Sequence, residues 1–145
     1  MIKKILLLIT VAVAILATVF WFNRDQWLAD FNEERQQQKA LFTQQGLAFS
    51  KNATQDECMA QSFEQLKGCY GFDCTLDQGV FLKTCISNAT ASDNFCDAVP
   101  KTVEKLTQDD KDWLKDSCWD KDVSGEGCRF LYKQKIQYCT VNSQP

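Results

Sequence analysis

The residues best equipped for chemistry in this sequence are eight cysteines, because a thiol can bind a metal, exchange electrons or form a disulfide. They are Cys58, Cys69, Cys74, Cys85, Cys96, Cys118, Cys128 and Cys139. None of them forms a C-x-x-C motif, the spacing used by zinc ribbons, thioredoxin-like redox sites and haem attachment. The even number and the regular spacing instead predict four structural disulfides, which form in an oxidising compartment.

The spacing of the first four cysteines predicts how they pair. Cys58 and Cys69 are eleven residues apart, as are Cys74 and Cys85. Eleven residues make about three helical turns, so each of these two sets lies on one face of a helix. In an antiparallel hairpin, facing residues have a constant sum of residue numbers. That sum is the same for Cys58–Cys85 and Cys69–Cys74, so we predict these two disulfides.

Helix-start signals agree with this hairpin. The residues at 54–57 and 75–78 both match a capping box, in which a Thr and a Glu or Gln three residues later cap a helix. We therefore expect helices over about 55–68 and 75–88, which form a first hairpin spanning residues 54–90.

The second hairpin, residues 92–140, follows a looser pattern. Pro100 suits the first turn of a helix, and Thr107 with Asp110 resembles a capping box. The segment 120–127 is a polar loop, and 128–139 is a predicted helix. The predicted core of both hairpins is apolar and consists of Phe63, Leu66, Phe72, Phe81, Leu82, Ile86, Phe95, Val99, Val103, Leu106, Trp113, Leu114, Phe130, Leu131 and Ile136.

The remaining four cysteines are assigned less directly. Cys118 and Cys128 flank the polar loop, and we expect them to pair. Cys96 and Cys139 are then left, although their residue numbers do not have the sum of the Cys118–Cys128 pair. Their pairing requires the segment around Cys96 to fold back as a short cap. Eight cysteines allow 105 connectivities in principle.

An uncharged apolar segment at residues 5–22 predicts a membrane anchor. As a helix it is roughly 27 Å long, close to the hydrocarbon thickness of a bilayer. It ends in the aromatic residues 20–22, which is typical of a membrane interface, and Lys3 and Lys4 precede it. These lysines predict a cytoplasmic N-terminus. A cleaved signal peptide is the alternative, but the small residues that could form a cleavage site lie inside the apolar segment.

Residues 23–49 predict a helical neck, since they contain no proline and a single glycine, Gly46. Trp27 and Phe31 are four residues apart and could face lipid headgroups or a partner. The predicted domains are the anchor (1–22), the neck and a disulfide-rich helical domain (50–145).

Few other residues point to chemistry. The sequence has no histidine, which excludes imidazole ligands and histidine bases. The net charge of −3 argues against nucleic acid as a partner. Asp120, Asp122 and Ser124, followed by Gly125, match the start of a calcium-binding EF loop, but its twelfth position is Leu131 rather than Glu. A weak calcium site and a polar turn are both left open.

An acidic helix carries the candidate interface residues. Asp112 and Asp116 are four residues apart, and Trp113 and Trp119 lie in the same stretch. The aspartates are expected on a solvated face, or alternatively on a docking surface for a basic partner. The tryptophans are expected to pack over the disulfides, or alternatively to form an exposed hot spot.

These observations predict an all-α protein with a single transmembrane helix, a helical stalk and two disulfide-linked hairpins. We expect a non-catalytic interaction module without a cofactor, anchored in the bilayer and binding another membrane or envelope protein. The expected location is a bacterial inner membrane with a periplasmic domain. Another oxidising compartment, or secretion after cleavage, is the alternative. Alternative functions are an envelope hydrolase or hydrolase inhibitor using the acidic helix, a redox partner, and a weak calcium-binding module.

Overall fold

The chain is all-helical in the residues that the computed structural model describes, which are 2–69, 71–101, 105–119, 121 and 125–142. It divides into two compact units, Met1–Gln37 and Gln38–Pro145. The helices are α1 (Ile2–Ser50), α2 (Gln55–Lys67), α3 (Phe72–Asn88), α4 (Gln108–Trp119) and α5 (Glu126–Asn142).

The first unit contains the apolar part of α1 and the polar residues that follow it up to Gln37. An 18-residue window of this helix has a mean hydropathy of 2.8, and none of that window is buried inside the protein. Within the described residues, α1 is the one helix long and apolar enough to cross a membrane. The hydroxyl of Thr10 donates to the Leu7 carbonyl at 2.9 Å, so this polar group is satisfied within the helix. Such a helix fits a membrane anchor and equally a signal sequence.

The second unit begins earlier than the boundary at residue 50 expected from the sequence. It includes residues 38–49, the C-terminal part of the predicted neck. Gly46 and Ser50 are buried, and the Phe49 ring contacts that of Phe81 in α3 at a tilt of 58°, with the centroids 5.8 Å apart. The physical reason is Gly46, because a Cβ at this position would lie 2.7 Å from the Phe81 carbonyl oxygen. Without a side chain here, α1 approaches α3 closely.

The predicted start of α2 is confirmed. The Thr54 hydroxyl accepts a hydrogen bond from the Glu57 amide at 3.3 Å, and the Glu57 carboxylate accepts one from the Thr54 amide at 2.7 Å. Both halves of the capping box are therefore present.

The predicted start of α3 at Thr75 is wrong, since α3 begins at Phe72. Gly71 has a φ of +103°, which a residue with a side chain rarely adopts, and it turns the chain directly into the helix. The hydroxyl of Thr75 instead donates back to the Gly71 carbonyl. Phe72, predicted to lie in the core, is 74% exposed because it projects from this first turn.

The start of the second half also differs from the sequence prediction. Pro100 is not helical, and α4 begins at Gln108. The helix start at Thr107 is confirmed, because the Thr107 amide donates to Asp110 at 2.7 Å and its hydroxyl accepts from the Asp110 amide at 3.2 Å. Helix α5 contains the predicted segment 128–139 and is longer at both ends.

The core lies where α2, α3 and α5 pack on one another, with α4 packed on α5. The ring of Phe130 in α5 occupies the space of a side chain at Gly79 in α3, which brings these two helices close. Of the predicted core residues, Val103 lies outside the described residues. The fully buried apolar side chains include Phe81, Leu82, Ile86, Leu114 and Leu131.

The segment before α4 folds back around Cys96, as its pairing requires. The amides of residues 95, 97 and 99 each donate a hydrogen bond to the carbonyl three residues earlier, which gives consecutive turns. Asn94 and Ala98 have positive φ angles of 61° and 54°. The turns bury Phe95 and Val99 against the core and direct Cys96 toward α5.

Candidate functional site

The cysteines form the four pairs predicted from their spacing. The Cα–Cα distances are 5.8 Å for Cys58–Cys85, 5.9 Å for Cys69–Cys74, 5.4 Å for Cys96–Cys139 and 5.9 Å for Cys118–Cys128. All eight cysteines are paired in this way. One disulfide joins α2 to α3, one joins the segment after α2 to α3, one joins α4 to α5, and one joins the Cys96 turns to α5. They indicate an oxidising compartment.

A buried glutamine joins the elements at one end of this unit. The side-chain amide of Gln55 donates to the Tyr138 hydroxyl at 2.6 Å and to the Ile86 carbonyl at 3.2 Å. Its carbonyl oxygen accepts from the Ser92 amide at 3.4 Å. These bonds connect the start of α2 with α3, α5 and the turns before Cys96. Leaving a buried polar group unpaired costs free energy, so this network fixes the positions of the four segments relative to one another.

An open groove of about 510 Å³ runs between α2 and α5. Its apolar floor is formed by Met59, Phe63 and Tyr132, each no more than 7% exposed. Charged side chains of both signs line it: Asp56, Glu57, Glu64, Lys67, Lys121 and Lys135. Lys67 and Glu64 form an ion pair at 2.7 Å.

Lys135 lies in this groove, and its surroundings shift its pKa. Its ammonium lies 4.2 Å from the centre of the Phe95 ring. Burial lowers the pKa of Lys135 below its usual value of 10.5, the Asp56 carboxylate raises it, and the Lys121 ammonium lowers it further. The sequence analysis missed this groove. The charged residues on the outer face of α2 were the only hint of this groove in the sequence. That they lie beside α5 depends on tertiary packing.

The predicted interface residues of α4 divide between two faces. Asp112, Asp116 and Trp119 are exposed, and their spacing of i, i+4 and i+7 places them on one helix face. We call these three residues the outer face of α4. Trp119 is 84% exposed, so it does not pack over the neighbouring disulfide as expected. Trp113 is half-buried, and its ring packs edge-on against that of Tyr132 with the centroids 5.5 Å apart.

The other predicted interface residues lie in the first unit. Trp27 and Phe31 are exposed, and their rings stack with centroids 6.1 Å apart. Arg24 lies over the Trp21 ring at 5.0 Å from its centre. This aromatic segment continues directly from the apolar part of α1.

The calcium hypothesis falls largely on residues outside the description. Asp120, Asp122 and Ser124 all lie outside the described residues. Among the residues that are described, no group of three or more His, Cys, Asp or Glu side chains is arranged to hold a metal ion.

Comparison of the chain with family models, with curated proteins and with solved structures gives no match.

Proposed function

We propose that this chain is a single-pass membrane protein whose disulfide-rich unit binds another protein of the same membrane or envelope. The observation that carries the proposal is α1, whose apolar window has a mean hydropathy of 2.8 and is entirely unburied, in one chain with four disulfides. Exposed apolar surface of this extent is stable in lipid rather than in water. Since disulfides form in oxidising compartments, they support a location of this unit on the oxidising side of the membrane.

The orientation and arrangement follow from the same reasoning. Lys3 and Lys4 favour a cytoplasmic N-terminus, and the disulfides favour an oxidising compartment, for which we propose the periplasm of a bacterium. In this view, α2 with α3 and α4 with α5 form two disulfide-linked hairpins. The protein is an accessory, assembly or scaffolding component without catalytic activity of its own.

The outer face of α4 is the surface that best suits a protein partner. An exposed tryptophan is uncommon on a surface without a ligand, and Trp residues dominate binding energy at protein interfaces. Two carboxylates, Asp112 and Asp116, lie beside Trp119 on the same face. This combination fits a partner that offers an apolar pocket for the indole and basic residues beside it.

Site-specific photo-crosslinking in native membranes tests this proposal. A photoreactive amino acid replaces Trp119, and in a matched control it replaces Lys83, which is exposed on α3. We expect one dominant adduct with a membrane or envelope protein from position 119 and none from position 83. Equal labelling from both positions, or no adduct from either, contradicts the docking surface.

Two further measurements separate the anchor from the docking surface. The intact mass of the membrane-extracted protein shows whether residues 1–22 are retained, and resistance to alkaline extraction shows whether they are embedded. With the crosslinked partner in hand, we expect Trp119→Ala to weaken binding by about 30-fold or more, as for an interface hot spot. Asp112→Asn with Asp116→Asn reduces the association rate and its dependence on salt.

A further inference from the structure

One of the four disulfides lies in different surroundings from the others. The other three each contain at least one cysteine that is no more than 1% exposed. In the Cys69–Cys74 pair both residues are partly exposed. A reductant can therefore reach this disulfide without the unfolding that the buried pairs require.

The position of this disulfide in the fold also sets it apart. Cys69 follows the end of α2, and Cys74 is the third residue of α3. Gly68 directly precedes Cys69, and Gly71 lies between the two cysteines in the sequence. Phe72, between the two cysteines in sequence, is 74% exposed and presents an apolar contact beside the sulfurs.

We propose that Cys69–Cys74 is a thiol–disulfide exchange site, reduced by a dithiol protein of the same compartment while the other three disulfides stay intact. The exposure of the pair supplies access, and Phe72 supplies a contact for the reductant. This inference does not depend on the docking surface proposed for α4.

The geometry assigns a direction to the exchange. A thiolate of the reductant attacks the sulfur of Cys69, the Cys69–Cys74 bond breaks, and Cys74 leaves as a thiolate. A thiolate in the first turn of α3 is stabilised by the partial positive charge of the helix N-terminus, so Cys74 is the better leaving group. The second thiol of the reductant then displaces Cys69 from the mixed disulfide. The reductant becomes a disulfide, and two electrons and two protons have passed to Cys69 and Cys74.

We expect the fold to tolerate this reduction, because a second disulfide joins α2 directly to α3. Cys58–Cys85 still joins α2 to α3 when Cys69–Cys74 is open. The two disulfides span 27 and 5 residues of sequence. A disulfide stabilises the fold by reducing the entropy of the unfolded chain, and this effect grows with the length of the loop that it closes. Opening the shorter loop therefore lowers the folding equilibrium constant by a factor about 12 times smaller than opening the longer loop does. We therefore expect the domain to remain folded in the dithiol form.

Timed reduction of the full-length oxidised protein in detergent tests the proposal. Dithiothreitol is added, free thiols are alkylated at intervals, and each cysteine is quantified by peptide mass spectrometry. We expect Cys69 and Cys74 to be alkylated together, at least about tenfold faster than the other six, with the near-ultraviolet circular dichroism of the buried aromatics unchanged. Reduction of another pair at the same rate, or loss of that signal together with the first alkylation, overturns the proposal.

Three variants or probes sharpen the test. The double variant Cys69→Ser/Cys74→Ser keeps the native circular dichroism and loses the fast phase; a fast phase that persists overturns the site.

Reduced glutathione forms its adduct mainly on Cys69, and an adduct mainly on Cys74 overturns the assigned direction. Phe72→Ala slows reduction by thioredoxin, used as the dithiol protein, and leaves the rate with dithiothreitol unchanged. Equal rates of the variant and the native protein with thioredoxin contradict the contact role of Phe72.

Discussion

The close approach of α1 to α3 at Gly46 makes a quantitative prediction about stability. In Gly46→Ala the new Cβ lies 2.7 Å from the Phe81 carbonyl oxygen, 3.0 Å from Thr84 Cβ and 3.3 Å from the Cys85 amide nitrogen. Two of these atoms belong to the backbone of a buried part of α3. They cannot rotate away, so the helices must separate by several tenths of an ångström.

Two opposing terms decide the size of the effect. Alanine stabilises a helix interior by about 0.5–1 kcal/mol relative to glycine. Overpacking a well-packed contact costs about 1–3 kcal/mol. We therefore expect Gly46→Ala to destabilise the Gln38–Pro145 unit by about 1 kcal/mol, which lowers the unfolding temperature by about 4 °C for a unit of this size.

Gly68→Ala is the matched control. A Cβ at Gly68 meets its nearest atom at 4.0 Å, and the residue has a φ of −90°, so alanine fits without strain. We expect this variant to be unchanged or slightly stabilised. The assay is thermal unfolding of the full chain in detergent with the disulfides intact, followed by near-ultraviolet circular dichroism. If Gly46→Ala were stabilising, as at an exposed helix position, residues 38–50 would not pack on α3 and the reasoning would fail.

Three further predictions concern the hydrogen bonds that position the helices. Gln55→Leu destabilises the unit by about 2–4 kcal/mol because it leaves buried partners unpaired, and Tyr138→Phe by about 1 kcal/mol, both measured by denaturant unfolding. The Thr54 amide and hydroxyl hold the pKa of Glu57 below its usual value of 4.5. The folded state thus binds fewer protons, so the stabilisation is complete above the unfolded pKa and is lost as pH falls through the folded one. We expect the unfolding temperature to fall between pH 5 and pH 3, and to fall less in Glu57→Gln. Thr107→Ala costs about 1 kcal/mol as a lost helix cap, whereas Thr75→Ala, inside α3, changes stability by less than about 0.5 kcal/mol.

Each of these three predictions has a result that would contradict it. Equal losses in Thr107→Ala and Thr75→Ala would mean that α3 begins at the sequence-predicted position. A Glu57→Gln variant with the pH dependence of the native protein would place the responsible carboxylate elsewhere. A neutral Gln55→Leu variant would show that its hydrogen bonds do not join the helices.

Cys58–Cys85, Cys69–Cys74 and Cys118–Cys128 were predictable from helical periodicity and chain reversal, whereas Cys96–Cys139 was the pair left over. Helical periodicity puts Cys58 and Cys69 on one face, and chain reversal over a few residues leaves little choice of partner. The helix start at Thr54 was predictable for the same reason, since a capping box involves only residues within one turn. The start of α3 was not, because Gly71 reaches a positive φ that its neighbours in sequence do not signal.

The surfaces were harder to predict because exposure depends on which helix covers which face. Trp119 and Trp113 lie on the same helix, yet Trp113 packs on Tyr132 and Trp119 is left open. The groove beside Lys135 is formed by α2 and α5, which are more than fifty residues apart in sequence. No local pattern places these residues together.

The amino-acid sequence by itself determined the helical composition, the apolar segment and three of the four cysteine pairs. Each of these depends on hydrophobicity, helical periodicity or caps within a few residues. Only the tertiary structure decided that residues 38–50 belong to the folded unit and that Cys69–Cys74 is the disulfide left partly exposed. The physical reason is that burial is a property of packed helices, and a missing side chain such as that of Gly46 acquires its meaning only against the partner it allows to approach.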